Sequence, residues 1–332
     1  MDKLIYVDDS LPGITRKRSG RGWSYYDPQG DLVTDKAERE RLNAIALPPA
    51  YRDAWYCPAP NGHILATGVD DRGRKQYRYH PSFREQREME KFEGCIAFGH
   101  LLPLVRRRVE EDLEGTTLTR ERALASVVRL LDLGVIRVGN EAYARSNNSY
   151  GATTLRNRHA KITGHTLRLR FRGKGGKLRE AEVSDRSLVS VVKRLQDLPG
   201  QRLFRYVDDA QEYHPVTSDE VNEYLWDTMG EKFTAKNFRT WHASVLAFEI
   251  VVETQGDIGI GSLTERVAEA LGNTPAVTRR SYIHPAMFDL LSKPDTIGDI
   301  ALPRATKWLS REERGLLAYL EDAPPLDRLM AA

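Results

Sequence analysis

The sequence predicts an α+β protein: a small β-rich N-terminal domain, then a larger and mostly helical domain that carries a small antiparallel sheet. Three observations predict it. Residues 1–85 are rich in Gly, Pro, Tyr and Arg and run in short alternating stretches. From about Pro81 the apolar residues take up helical spacing, over 82–97, 99–112, 119–133, 185–196, 218–229, 235–253, 263–271 and 275–283. Between 151 and 183 the pattern returns to strands, at 153–155, 159–162, 166–171 and 178–183.

The elements follow in order. In the first domain Trp23-Ser-Tyr-Tyr26 precedes the turn signal Asp27-Pro-Gln-Gly30, and Gln76-Tyr-Arg-Tyr79 reads as a further strand. One short helix is expected over 35–45, ended by Pro48-Pro49. In the second domain, 86–293, several helix ends are legible. Thr217-Ser-Asp-Glu220 and Ser262-Leu-Thr-Glu265 have the spacing of capping boxes. Gly272 follows the last periodic residue of one helix, and Thr274-Pro275 supplies an N-cap and an N1 proline for the next. Gly173-Lys-Gly-Gly176 is a turn joining two strands. Residues 294–332 read as an appended tail of unknown role, with one helix over 310–321.

Composition narrows the class. The chain has 332 residues, 40% hydrophobic, enough for two domains with buried cores. Lys and Arg number 50 against 47 Asp and Glu, so the net charge of +3 argues little, and the clustering of basic residues argues more. Two cysteines, Cys57 and Cys95, exclude a disulfide scaffold and read as reduced structural thiols. No apolar run approaches the length of about 18 residues needed to span a membrane. The first residues, MDKLIYVDDSLPG, lack the apolar segment of a signal peptide. A soluble, intracellular protein without a membrane partner is expected.

The densest basic segments are Arg16-Lys-Arg18 with Arg21, and Arg72-Gly-Arg-Lys-Gln-Tyr-Arg-Tyr79. Cations neutralise phosphates, Gln hydrogen-bonds base edges, and Tyr does so or packs on sugars. Taken alone the second segment is equally an ordinary solvated strand. Five further residues put a reactive polar group in structural surroundings. Arg137 follows the apolar Leu130–Ile136 stretch; Lys174 sits at the glycine-rich turn. Arg239 lies early in a helix with Phe238, Trp241 and Phe248; Asn273 follows a helix-ending glycine; Tyr282 lies near the end of the next helix. Singly each is bland: an ion-pair partner, a solvated lysine, a packed tyrosine. A phosphate-loop reading of Gly173–Lys177 fails, because no Ser or Thr follows the lysine and Phe171 stands where the first glycine belongs.

The surrounding words change this. Leu131-Asp-Leu-Gly-Val-Ile-Arg-Val-Gly-Asn-Glu141, Gly151-Ala-Thr-Thr-Leu155, Gly173-Lys174, Thr234-Ala-Lys-Asn-Phe-Arg-Thr-Trp241 and Leu271-Gly-Asn-Thr-Pro-Ala-Val-Thr-Arg-Arg-Ser-Tyr-Ile-His-Pro285 occur in that order. Upstream stand Pro48-Pro-Ala50, Gly62-His-Ile-Leu-Ala-Thr-Gly68 and Gly73-Arg-Lys-Gln-Tyr-Arg-Tyr79. Over about residues 5–290 the chain closely resembles the bacterial, poxvirus-like branch of type IB DNA topoisomerases. The resemblance implies two domains forming a clamp around duplex DNA. It implies Tyr282 as nucleophile, Arg137 and Arg239 on the non-bridging oxygens of the scissile phosphate, and Lys174 as general acid to the leaving 5′ oxygen. Asn273 stands where many members carry a histidine; its amide still donates a hydrogen bond but carries no charge. Gln76, Tyr77 and Tyr79, flanked by Arg74 and Lys75, match a strand entering the major groove, and Tyr143 matches a supporting position. Double-stranded DNA is the implied partner of a cytoplasmic, nucleoid-associated monomer with neither cofactor nor metal.

The chemistry is coherent from first principles. Attack by an oxyanion on an anionic diester needs charge neutralisation, which two guanidinium forks supply. A phenol of pKa near 10 is only about one part in a thousand ionised at pH 7, so nearby cations promote attack. The leaving alkoxide is a strong base, so a proton donor matters. Two rivals remain. A tyrosine recombinase shares the chemistry, but there a histidine typically precedes the second arginine by three residues, where this chain has Lys236. A non-enzymatic DNA-binding protein would use the basic strand and merely pack Tyr282.

Overall fold

Five short strands form one antiparallel sheet near the N-terminus. They are β1 (Ile14–Ser19), β2 (Gly22–Tyr26), β3 (Arg52–Tyr56), β4 (Ile64–Val69) and β5 (Lys75–Tyr79), in the order β2-β1-β3-β4-β5. The β1–β2 turn passes through Gly20, whose φ of +56° suits a residue without a Cβ. Helix α1 (Lys36–Ala44) starts where Asp35 accepts a hydrogen bond from the Glu38 amide. Its Leu42 joins Ile14, Tyr25, Leu47, Tyr56 and Ala66 in a small core, with Tyr25 and Tyr56 edge to face at 5.4 Å. The computed structural model describes residues 3–230 and 233–331, and the chain divides into two compact units between Glu90 and Lys91.

The division falls inside α2 (Pro81–Leu113). The spacing predicts two helices there, parted at Phe98, but one helix runs through Phe98-Gly99 and on past Pro103. Gly99 is a packing residue rather than a breaker: a Cβ on it would lie 2.5 Å from the Trp241 ring. The second unit continues with α3 (Arg120–Gly134), α4 (Glu141–Asn147), the sheet β6 (Ala160–Thr163), β7 (Thr166–Arg172) and β8 (Leu178–Ser184), and α5 (Arg186–Gln196). A short hairpin, β9 (Arg205–Val207) and β10 (Tyr213–Pro215), precedes α6 (Ser218–Met229), α7 (Ala235–Glu253), α8 (Ile260–Leu271), α9 (Pro275–Ser281) and α10 (Ala286–Leu291). Helices α11 (Arg311–Glu321) and α12 (Leu326–Ala331) close the chain. Among the described residues no helix is long and apolar enough to cross a membrane.

Two local expectations are corrected. Residues 153–155 are not a strand: Ala152–Thr154 make one 3-10 turn, because the Gly151 amide donates to the Thr154 hydroxyl at 2.9 Å. Side-chain bonding of this kind competes with the ladder that β-branched threonines suggest. The Ser262–Glu265 capping box does not form, since α8 begins a turn earlier with Gly259 as N-cap, and Leu263 donates to the Gly259 carbonyl. The Thr217–Glu220 box is present in full.

The segment after residue 293 packs into the second unit. Ile297, Leu316, Leu317 and Leu320 lie in the same core as α3 and α7. Ser310 caps α11 with Glu313, whose carboxylate also takes hydrogen bonds from Arg106 (2.8 Å) and the Trp241 indole (3.1 Å). Arg106 in turn bonds Asp132 on α3, and His242 on α7 shares that carboxylate. Pairing and hydrogen bonding of this kind offset the cost of burying these charges.

Candidate active site

Arg137 is placed by backbone. Helix α3 ends on Val135, whose φ of +48° is unusual for a β-branched residue and turns the chain sharply. The 3-10 turn then grips the next stretch: Ala152 donates to the Arg137 carbonyl at 2.8 Å and Thr153 to that of Val138 at 2.7 Å. Gly151 has to be glycine here, since a Cβ would lie 2.5 Å from the Arg137 carbonyl oxygen.

Arg239, in the second turn of α7, is buried and ties three segments together. It donates to the carbonyls of Val135 (2.5 Å) and Leu271 (2.9 Å) and to Asn273 Oδ1 (3.3 Å). Asn273 Oδ1 also accepts from Arg137 Nη2. A guanidinium only donates, so the oxygen of Asn273 faces both arginines and its NH2 turns away from them. That Nδ2, like Nε of Arg239, is buried without a hydrogen-bond partner.

Tyr282 caps the C-terminus of α9, and its backbone is held on both sides. Ser244 on α7 donates to the Tyr282 carbonyl (3.4 Å) and accepts from the His284 amide (3.0 Å); Lys91 donates to the Ser281 carbonyl (3.0 Å). The half-buried ring lies 5.2 Å from the Arg239 guanidinium. Burial acts to raise the phenol's pKa. The charge and hydrogen bond of Arg239 oppose it, Arg137 and Lys236 add to them, and the net result lies below the ordinary tyrosine value. For Arg239 burial and the charge of Arg137 act the other way, lowering its pKa.

Lys174 sits at the exposed tip between β7 and β8, where Gly175 and Gly176 both take a φ of +75°. With Arg137, Arg239 and Asn273 it lines one cavity of about 210 Å³. Tyr282 is not among the lining residues and meets the cluster through Arg239. Tyr143 stands on α4, 52% exposed, away from the cavity lining. Two cations given no role from the sequence belong with the site: Lys236, three residues before Arg239 on the same helical face, and Arg179 of β8, which lines the cavity.

In the first unit, Tyr77 and Tyr79 share one face of β5, their rings stacked at 5.7 Å and 10°. The polar residues beside them are held by acids. Arg74 and Gln76 both donate to Asp70, Gln76 at 3.0 Å, and Lys75 pairs with Asp9 at 2.6 Å. The bonds from Arg74 keep the Asp70 carboxyl down at about 2.

Residues 80–282 match the family described as eukaryotic DNA topoisomerase I, catalytic core, and residues 22–70 match the bacterial DNA topoisomerase IB N-terminal domain. The chain is 30% identical over 287 residues to DNA topoisomerase 1B of Acanthamoeba polyphaga mimivirus, covering 82% of this chain and 85% of that one. It is 20% identical over 251 residues to DNA topoisomerase 1B of vaccinia virus (strain Copenhagen), covering 74% and 78%. Among solved structures, a XerH site-specific recombinase bound to palindromic difH substrate aligns over 59% of this chain and 51% of its own, at 15% identity. Its TM-score is 0.38, too low to bear on function.

Proposed function

Because the chain belongs to the type IB DNA topoisomerases, we propose that Tyr282 attacks a DNA phosphodiester in a cage of Arg137, Arg239 and Asn273, with Lys174 as proton donor. The observation that carries this reading is the shared contact: Asn273 bridges both arginines, and one of them faces the Tyr282 ring. In the forward step the phenol gives its proton to water and its oxygen bonds to phosphorus. The bond from phosphorus to the 5′ oxygen breaks, and Lys174 protonates the leaving oxygen. The products are a 3′-phosphotyrosine and a free 5′-hydroxyl. The new ester resembles the old one in energy, so the 5′-hydroxyl reseals the strand by the reverse step without a nucleotide. Torsional stress turns the downstream duplex while the strand is open. The two units would grip duplex DNA as a clamp, with Tyr77, Tyr79 and Gln76 directed at the groove and Arg74, Lys75 and Tyr143 supporting the contact. Monomeric action in the cytoplasm, on the nucleoid, fits one complete site per chain.

The direct test is incubation with supercoiled plasmid in EDTA without ATP. Relaxation of both positive and negative supercoils is expected, because the charge-neutralising groups proposed here are side chains of this chain. An absolute requirement for Mg²⁺ or ATP would overturn the reading, although divalent ions that merely speed DNA release would not. Stable strand exchange between two DNA sites would favour a recombinase instead.

Asn273 allows a sharper test of the cage. Its buried Nδ2 has no hydrogen-bond partner and is the donor proposed to meet a non-bridging oxygen when DNA is bound. Asn273→Asp removes that donor and sets a negative charge against the arginines where the phosphate has to bind. Asn273→Ala only removes the donor. Cleavage by the Asp variant is expected to be slower than by the Ala variant by roughly tenfold or more, the scale on which a misplaced charge at a preorganised site acts. Equal rates in single-turnover cleavage would show that Asn273 does not approach the phosphate.

A further inference from the structure

Arg179 stands on β8, on the arm of the hairpin that descends from Lys174. Its Nη1 donates to the Glu269 carbonyl at 3.3 Å and its Nη2 to the Ala270 carbonyl. These oxygens belong to the last turn of α8, at the partially negative end of the helix, where the Glu269 carbonyl also takes the Gly272 amide at 3.0 Å. Gly272 ends that helix with a φ of +62°, and a Cβ there would lie 3.0 Å from Arg179 Nη1 and 3.2 Å from its Cδ. The Arg179 side chain therefore lies against the helix end, and the residue after Gly272 is Asn273. The hairpin tip is closed by its own backbone, Gly173 donating to the Lys177 carbonyl at 2.8 Å and Gly176 to that of Gly173 at 3.0 Å. Nothing lies within 4 Å of where a Cβ would stand on Gly175 or Gly176. Burial lowers the pKa of Arg179, and so does the charge of Arg137, which places the two cations within electrostatic reach.

We propose that Arg179 is a positioning residue: it fastens the hairpin that carries Lys174 to the turn that carries Asn273, and so registers the proton donor against the phosphate-holding groups. The proposal rests on the reading of Lys174 as general acid. Without the fastening, Lys174 would hang from a glycine tip, and its ammonium would sample positions too far from the 5′ oxygen to donate. Arg179 acts through Lys174 and needs no contact of its own with DNA.

The test is single-turnover cleavage of two duplexes by the full chain, one with the natural 5′ oxygen at the scissile bond and one with a bridging 5′ sulfur. A thiolate leaves without a proton. Arg179→Met keeps most of the aliphatic stem and removes the donors; Arg179→Lys keeps a charge and a single point of attachment. Arg179→Met is expected to slow cleavage of the oxygen substrate by roughly ten- to a hundredfold, the scale of a small misplacement of a catalytic group. On the sulfur substrate it should approach the wild-type rate, and Arg179→Lys should fall between. The sulfur-to-oxygen rate ratio is internal to each protein, so a smaller folded fraction cancels out. In a Lys174→Ala background, Arg179→Met should cost little more on the oxygen substrate. Arg179→Met equally slow on both substrates would make Arg179 a phosphate ligand and overturn the proposal, as would losses that multiply with Lys174→Ala. If Lys174→Ala itself shows no sulfur rescue, the general-acid reading fails and the proposal falls with it. Rescue of Lys174→Ala without rescue of Arg179→Met removes the proposal alone.

Discussion

Tyr282→Phe is expected to bind duplex DNA like the wild type and to cleave none of it. The substitution removes one oxygen and keeps the ring that faces Arg239. It leaves untouched the Ser244 and Lys91 bonds that hold the backbone around position 282. The phenol oxygen is the nucleophile in the proposed reaction, and a phenylalanine ring has nothing to put in its place. Denaturing the wild-type protein during turnover should leave one protein molecule on a 3′ DNA end, and peptide mapping should place the adduct on Tyr282. Three results would overturn the assignment: strand cleavage by the Phe variant above the contaminant level, an adduct on another tyrosine, or linkage to a 5′ end. The lowered pKa of the phenol adds a signature. The ionised fraction grows as pH rises through that pKa, so wild-type cleavage should climb with pH and level off at a lower pH than an unperturbed tyrosine would allow.

The helices were legible where local signals agree. Thr119, Asp185 and Thr217 each accept a hydrogen bond from the amide three residues on, at the starts expected from periodicity and capping. Reading failed where packing at long range decides. The spacing parts two helices at Phe98, yet one helix runs through, with Gly99 admitting Trp241 from more than a hundred residues away in the chain. Residues 205–215 and 286–291 are too short for a periodic signal to develop, so the β9–β10 hairpin and α10 escaped notice. The site shows the same divide. Arg137, Lys174, Arg239, Asn273 and Tyr282 stand out by the words around them. Arg179 does not, because Leu178–Ser184 alternates and an arginine in it reads as a solvated strand residue. Its partners at 269 and 270 lie on a helix end that no local pattern connects to the hairpin. The segment after residue 293 reads as an appended tail, although Glu313 is buried against Arg106 and Trp241.

Arg239→Ala should slow single-turnover cleavage by roughly a hundredfold or more, the scale for losing one preorganised charge-stabilising donor. Several effects act together. A cation is lost where the phosphate's charge develops, including the partner-free Nε. The carbonyls of Val135 and Leu271 lose a buried donor, which loosens the ends of α3 and α8 beside Arg137 and Asn273. The phenol of Tyr282 loses the neighbour that most opposes the effect of burial, so its pKa should rise. The sign follows directly: a higher phenol pKa moves the rising limb of the pH–rate profile to higher pH, and raising the pH should recover part of the lost rate. Arg239→Lys keeps a charge but cannot fork between two carbonyls and Asn273, so it should recover the pH profile better than the rate. Because Arg239 stabilises charge on the phosphate rather than on the leaving oxygen, a bridging 5′ sulfur should not restore Arg239→Ala, whereas it should restore much of Lys174→Ala. Rates measured against pH on both substrates decide the matter. Equal sulfur rescue of the two variants would remove the distinction between phosphate clamp and general acid. A slow Arg239→Ala with an unshifted pH profile would show that Arg239 holds the phosphate without activating Tyr282.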